Sequence, residues 1–175
     1  MNYIQLKKDV ITPSLFRHFI RRQQVTQCLR KRGNRWIPVD APFVDDWSEQ
    51  EYQYLVCCLH HTLDAGGLVL GAFEGTALKG FASVEGTLKG PEQEYLDLTS
   101  LHVSQDRRGR GVGKTLFSLA AQWAKQHGAQ KLYISSHSAV ETQAFYQRMG
   151  CIDAAAPDPE HVQAEPYDRQ LEYQL

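Results

Sequence analysis

Apolar positions along the chain recur with two spacings, one of two residues and one of three to four, which indicate strands and helices respectively. Tyr3–Leu6 alternates as a strand does. Thr12 followed by Pro13 supplies a capping residue and a proline at the first helical position, so we predict a helix from Thr12 to about Leu29. The following segment, Arg30–Ser48, is predicted to be a polar loop.

A second helix and a β-hairpin follow this loop. Ser48 and Glu51 form an S-x-x-E capping box, after which apolar residues recur at helical spacing until Gly66-Gly67. Leu68–Phe73 and Ala77–Glu85 are short β-rich runs on either side of a turn, a pattern that is typical of a hairpin.

The remainder of the chain alternates strands with helices. The predicted elements are a strand at Glu94–Val103, a helix from Gly113 to His127-Gly128, a strand at Lys131–Ser135, a helix at Val140–Met149 and a terminal strand at Arg169–Leu175. The order is β, α, α, β, β, β, α, β, α and, after a poorly defined segment, β. Because strands and helices alternate only in this half, we predict an α/β fold with a mixed sheet and helices on both faces.

Composition limits the class of protein. A chain of 175 residues with 42% hydrophobic and 22% charged residues fits one globular domain, 1–175. Neither a membrane-length apolar stretch nor the apolar core of a secretory signal is present, so we expect a cytoplasmic protein. The four cysteines, Cys28, Cys57, Cys58 and Cys151, lack C-x-x-C spacing and are predicted to be buried free thiols; no metal site is expected.

Charge is unevenly distributed although the net charge is only −1. Residues 1–40 hold nine Lys/Arg and two Asp/Glu, whereas residues 41–100 hold two Lys/Arg and ten Asp/Glu. A basic segment of this kind could bind nucleic acid or a membrane. However, Arg17, Arg21 and Arg22 alternate with apolar residues as on a solvated helix face, so we expect neither partner.

The residues with the clearest chemistry lie between a predicted strand and a predicted helix, in the run Arg107-Arg108-Gly109-Arg110-Gly111-Val112-Gly113-Lys114. Glycines allow the backbone to approach a ligand, and the free N–H groups and dipole of a helix N-terminus favour an anion, so this run predicts a phosphate site. A Walker A loop would need a glycine where Arg108 stands, and the dinucleotide fingerprint would need one at Lys114.

The pattern that fits is R-x-x-G-x-G, formed by Arg108, Gly111 and Gly113, and here the chain resembles the GCN5-related N-acetyltransferase (GNAT) superfamily. Phe145-Tyr146-Gln147-Arg148-Met149-Gly150-Cys151 is similar to the family's F-Y-x-x-x-G-F stretch. The resemblance is strong over Leu96–Cys151 and topological over Met1–Gln93.

The resemblance implies acetyl-CoA as co-substrate and a set of residues that bind it. Its pyrophosphate would lie on the loop and its pantetheine arm along the preceding strand, which gives these candidates: Leu101, His102, Val103, Arg108, Gly109, Arg110, Gly111, Val112, Gly113 and Lys114. Many members have an Asn that contacts the pantetheine; here Ser138 or Thr142 would supply part of that contact. A backbone N–H around His102-Val103 could stabilise the oxyanion.

The resemblance also suggests the catalytic groups. Tyr146 would protonate the leaving thiolate, although spacing alone would make it a core aromatic. Asp97 occupies the position of the base in the histone-modifying branch of the superfamily, with Glu85, Glu94 or water as alternatives. The acceptor would enter on the opposite side, beside the Arg30–Ser48 loop and the first two helices.

Three aromatic residues, Trp36, Phe43 and Trp47, would wall the acceptor site, and Asp45-Asp46 would attract a cationic amine unless they only lead into the capping box. A small-molecule amine is the expected partner, and the chain could form a homodimer. The alternatives are an acetyltransferase of protein lysines or N-termini, a CoA-binding sensor without activity, and a nucleotide-binding protein with a degenerate phosphate loop.

Overall fold

The computed structural model describes all residues, Met1–Leu175, and contains nine strands and four α-helices. The strands are β1 (Asn2–Gln5), β2 (Gln23–Arg32), β3 (Arg35–Asp45), β4 (Leu68–Glu74), β5 (Ala77–Val84), β6 (Tyr95–Val103), β7 (Lys131–Ser136), β8 (Ile152–Asp153) and β9 (Arg169–Gln174). The helices are α1 (Glu49–Asp64), α2 (Val112–Gln126), α3 (Val140–Met149) and α4 (Pro159–Ala164). None of these helices is long and apolar enough to cross a membrane.

Seven strands form one mixed sheet in the order β1-β4-β5-β6-β7-β9-β8. All neighbours are antiparallel except β6 and β7, which are parallel. Helices α2 and α3 cover one face with the larger apolar core, which includes Leu116, Phe117 and Tyr146. Helix α1 and the N-terminal turns cover the other face with a smaller core that includes Leu59 and Phe81. The predicted α/β architecture with helices on both faces is therefore confirmed.

The predicted helix over Thr12–Leu29 is wrong. Short 3-10 turns occupy Lys8–Val10 and Pro13–Phe16, and β2 begins at Gln23 after an irregular segment. The two buried apolar residues of β2, Val25 and Cys28, lie three apart at the point where the pairing shifts register through a bulge whose extra residue is on β3. This spacing imitates a helical period.

The predicted loop over Arg30–Ser48 is also wrong, because most of it forms β3. Strands β2 and β3 make a separate antiparallel hairpin closed by the two-residue turn Gly33-Asn34, with Arg32 opposite Arg35. Pro38 and Pro42 are tolerated because β3 has no partner on its outer side. The hairpin contacts the sheet beside α3, where the Leu29 N–H donates to the Ser138 carbonyl oxygen at 2.7 Å.

The cysteines follow the prediction only in part. All four are free thiols, and Cys28 and Cys151 are buried. Cys57 is exposed and Cys58 is partly exposed, because they lie side by side on α1 and only one face of this helix packs against the sheet.

Candidate active site

A gap opens in the sheet between the two parallel strands. β6 and β7 pair only at Tyr95–Asp97 with Lys131–Tyr133, and beyond these three pairs they diverge. The second half of β6 therefore has a sheet partner on one side only, β5. The Ser104 N–H donates to the Lys79 carbonyl oxygen of β5. Because backbone N–H groups point alternately to the two sides of a strand, the N–H groups of Leu101 and Val103 point away from β5, toward the gap.

A bulge in β6 adapts the strand to this gap. Leu98 pairs with Val84 and Ser100 with Ser83, so Thr99 is the extra residue. Before the bulge the even-numbered side chains enter the larger core, whereas after it the odd-numbered Leu101 and Val103 pack against that core. The bulge therefore turns His102 toward the opposite face, where its ring lies 4.8 Å from Trp47.

The loop between β6 and α2 presents free hydrogen-bond donors. Six consecutive backbone N–H groups, from Gly109 to Lys114, have no acceptor within the protein. Gly109 (φ 72°) and Gly111 (φ 81°) have left-handed backbone conformations, and Gly111 is the N-cap of α2. The donors and the positive end of the α2 dipole together form an anion site.

This loop lines a cavity of about 720 Å³ that extends along the gap. The predicted binding residues that line it are Leu101, His102, Val103, Arg108, Gly109, Gly111, Val112, Gly113, Lys114 and Thr142. Sequence reasoning missed two cations that also line the cavity, Arg21 and Arg148. Arg148 is part of the F-Y-x-x-x-G stretch and could have been considered from the sequence.

Arg108 connects two segments of the cavity wall through hydrogen bonds. Its guanidinium donates to the carbonyl oxygens of Val103 at 3.1 Å and Arg21 at 2.8 Å, so it joins the end of β6 to the segment before β2. Burial lowers the pKa of Arg108, and the positive charge of Arg21 lowers it further. These two neighbouring cations make the adjacent cavity favourable for an anion.

Two predicted binding residues lie outside this cavity. The side chain of Arg110 is exposed at the loop surface and does not line the cavity. Ser138 is buried behind the hairpin, where its hydroxyl accepts from Arg30 at 2.7 Å. Of the two candidates for the pantetheine contact, the structure thus places Thr142 and not Ser138 at the cavity.

Tyr146, on α3, also lines the cavity. Its ring is buried against Phe117 and Phe145, while no protein group hydrogen-bonds to its hydroxyl. Burial raises the pKa of Tyr146 well above its usual range, and the neighbouring Cys151 and Asp168 raise it further. The side chain is therefore a neutral phenol that can donate a proton.

Asp97 is not brought together with Tyr146. It lies at the last β6–β7 pair, opposite Tyr133, and borders a second cavity of about 610 Å³ with Lys89 and Asp158. Its buried carboxylate accepts from Lys89 Nζ at 2.9 Å and lies 3.0 Å from His161 Nε2. Glu85 accepts from the Thr62 hydroxyl, and Glu94 accepts from the Glu92 N–H; neither lines the cavity at the gap.

The hairpin places the predicted acceptor residues in different positions. Trp47 and Phe43 lie near the gap, against His102 and His137 respectively, whereas Trp36 packs under Arg169 at the far side of the hairpin. Asp45 forms an ion pair with Arg21, and Asp46 accepts from the Trp47 N–H immediately before α1.

A split mixed sheet with an anion-binding loop at a helix N-terminus is suited to an anionic ligand that extends along an open strand edge. The chain belongs to the acetyltransferase (GNAT) family, whose model matches residues 34–151, and it is an acetyltransferase. No curated protein matches its sequence.

Solved structures with the same fold cover nearly the whole chain. Nourseothricin acetyltransferase is 20% identical, with a TM-score of 0.66 over 98% of this chain and 95% of that chain. A protein from Bacillus anthracis assigned as a streptothricin acetyltransferase, in complex with acetyl coenzyme A, is 16% identical, with a TM-score of 0.71 over 99% and 95%. The IAA acetyltransferase from Bacillus cereus is 18% identical, with a TM-score of 0.60 over 99% of each chain.

Proposed function

We propose that the chain, acting as a single domain, transfers the acetyl group of acetyl-CoA to a primary amine of a small molecule by direct attack of the amine. The observation that carries this proposal is the row of six free N–H groups at Gly109–Lys114, which opens on a cavity that Tyr146 also lines. The complex of the B. anthracis relative with acetyl coenzyme A supports the same donor.

The donor is expected to follow the cavity from the loop to the gap. The pyrophosphate would accept from the free N–H groups of the loop, with Lys114 and Arg148 as nearby cations. The pantetheine arm would hydrogen-bond to the open edge of β6 at Leu101 and Val103, as an added strand does, and Thr142 would face it from α3.

Three steps follow from this placement. The acceptor ammonium first loses a proton, because only the neutral amine has a free electron pair for attack on the carbonyl carbon. The negative charge of the tetrahedral intermediate would be stabilised by a backbone N–H of β6, with Val103 as our candidate. The C–S bond then breaks, and the leaving thiolate takes the Tyr146 proton.

The acceptor would reach the gap from the face opposite α2, between Trp47 and the hairpin. Two relatives of the same fold are named for streptothricin-class antibiotics, which supports a small-molecule acceptor. The resemblance suggests Asp97 as a base. Because its carboxylate contacts Lys89 and His161, we instead assign Asp97 the role of orienting the His161 ring.

A thiol-release screen tests the proposal. The protein is incubated with acetyl-CoA and one of five acceptors: nourseothricin, kanamycin, spermidine, free lysine or a lysine peptide. Release of CoA with a small amine, and stabilisation against heat by acetyl-CoA but not by ATP, are expected. Release with the peptide alone would indicate a protein acetyltransferase. Binding of acetyl-CoA without release by any acceptor would contradict the proposal and indicate a sensor.

A further inference from the structure

Asp168 lies directly before β9, beside the end of β7 that diverges from β6. Arg169, the next residue, is paired with Ser136 at the end of β7, beyond the three residue pairs that hold β6 and β7 together. Gln170 connects Asp168 to β7, since its Nε2 donates to the Ser135 hydroxyl at 3.0 Å and to the Asp168 carbonyl oxygen at 3.5 Å. The backbone of Asp168 is therefore anchored at the diverging end of β7.

Asp168 is a partly buried carboxylate that has no cationic partner within the protein. Asp45, Asp97, Asp106 and Glu172 each lie within 4.0 Å of an Arg, Lys or His side chain. No such group lies within that distance of Asp168. A half-buried carboxylate without a partner is costly to keep, which points to a ligand cation or a proton at this position.

The surroundings of Asp168 tune it for proton transfer. Burial raises its pKa to about 6, and the negative charge of Glu165 contributes to the rise. His161 and the Ser135 hydroxyl act in the opposite direction. The charge of Asp168 in turn raises the pKa of Tyr146, so the two groups lie within electrostatic reach of each other. A carboxylate with this pKa is ionised at neutral pH and more basic than an exposed one.

We infer that Asp168 accepts the proton of the acceptor ammonium, an inference that rests on the proposed function. The N–H bond of the ammonium breaks, its proton moves to a carboxylate oxygen of Asp168, and the freed electron pair forms the N–C bond. The thiolate that leaves takes its proton from the Tyr146 hydroxyl. As the amide forms, its nitrogen loses a second proton, which replaces the one that Tyr146 gave to the thiolate, and Asp168 releases its proton to solvent before the next cycle.

The experiment is the pH profile of kcat/KM for Asp168→Asn, with acetyl-CoA and the amine from the screen that the wild type acetylates. Wild-type kcat/KM should rise with pH through about 6 as Asp168 loses its proton. The variant should lose this acidic limb and fall by roughly 10²–10⁴ at its plateau, with unchanged affinity for acetyl-CoA. A wild-type profile in the variant would overturn the inference.

Two measurements separate catalysis from a structural role. Glu165→Gln removes the neighbouring charge that raises the pKa of Asp168, so its acidic limb should shift to lower pH while the plateau is retained. Asp168→Asn should also be more resistant to heat than the wild type at pH 8, because it removes an ionised group that burial disfavours. A variant that is less stable and keeps its acidic limb would identify Asp168 as structural. Absence of release by the wild type with every amine would instead contradict the proposed function.

Discussion

The loop between β6 and α2 can be tested by a substitution that leaves its charge unchanged. A Cβ at Gly111 would meet no atom within 4 Å, so Gly111→Ala creates no clash. Its φ of 81°, however, is in the left-handed region, where a residue with a Cβ loses about 1–2 kcal/mol. The variant must either keep the backbone conformation of the loop, which lowers its free energy of unfolding by this amount, or change that conformation, which turns the loop N–H groups away from the anion site.

Gly128, at the other end of α2, provides the matched control. It also has a positive φ, 89°, and its Cβ would likewise meet nothing within 4 Å, but it lies far along the helix from the anion loop. Gly128→Ala should therefore show the stability loss alone. For a protein of this size, about 1–2 kcal/mol corresponds to a decrease in Tm of roughly 2–8 °C.

Affinity distinguishes the two glycines. A hydrogen bond to a charged phosphate contributes about 1.5–3 kcal/mol, so the loss of one at the loop should raise the Kd of acetyl-CoA about ten- to a hundredfold in Gly111→Ala. Isothermal titration calorimetry gives this Kd, and thermal denaturation gives the Tm. If Gly111→Ala bound acetyl-CoA as tightly as the wild type without a decrease in Tm, the loop N–H groups would not be the phosphate site.

Three further substitutions test the remaining groups. Tyr146→Phe keeps the ring packing and removes the proton donor, so turnover should drop by roughly 10²–10⁴ while calorimetry shows an unchanged Kd for acetyl-CoA; undiminished turnover would exclude the role. Asp97→Asn should retain the acidic limb of the kcat/KM profile and lose less than about tenfold in rate, whereas loss of the limb would make Asp97 the base. Burial lowers the pKa of His102 to about 3. Below about pH 6.5 the unfolded chain binds a proton at this side chain that the folded protein does not bind, so the free energy of unfolding should decline as the pH falls from 6.5 toward 3. In His102→Gln, thermal denaturation over this range should show a smaller decline, and an equal decline would assign the acid sensitivity to other groups.

The sequence predicts the second half of the fold well because its local signals agree with one another. The capping box of Ser48 and Glu51 starts α1 as predicted, and its side-chain bonds are present in both directions. The N-terminal half misleads because Val25 and Cys28 have helical spacing, although Gly33-Asn34 is a hairpin turn signal. Periodicity is reliable only where no bulge interrupts a strand.

The candidate site is predictable to the extent that it is continuous in sequence. The loop and Tyr146 belong to recognisable runs, and the structure places them along one cavity. Asp97 has the expected sequence position, but its partners Lys89 and His161 come from distant segments that no motif connects. Asp168 follows a segment without periodicity, and only the pairing of β9 with β7 brings it to the diverging end of β7.

The sheet consists of two halves that are joined by a short seam, the three residue pairs between β6 and β7. Three residue pairs join a four-stranded half, β1-β4-β5-β6, to a three-stranded half, β7-β9-β8. In the proposed complex the pantetheine arm occupies the gap beyond this seam, so the co-substrate connects the two halves of the sheet. Binding the donor would then limit the relative motion of Tyr146, carried by α3, and the open edge of β6. Release of CoA would free that motion again, so the stiffness of the sheet would rise and fall once in every catalytic cycle.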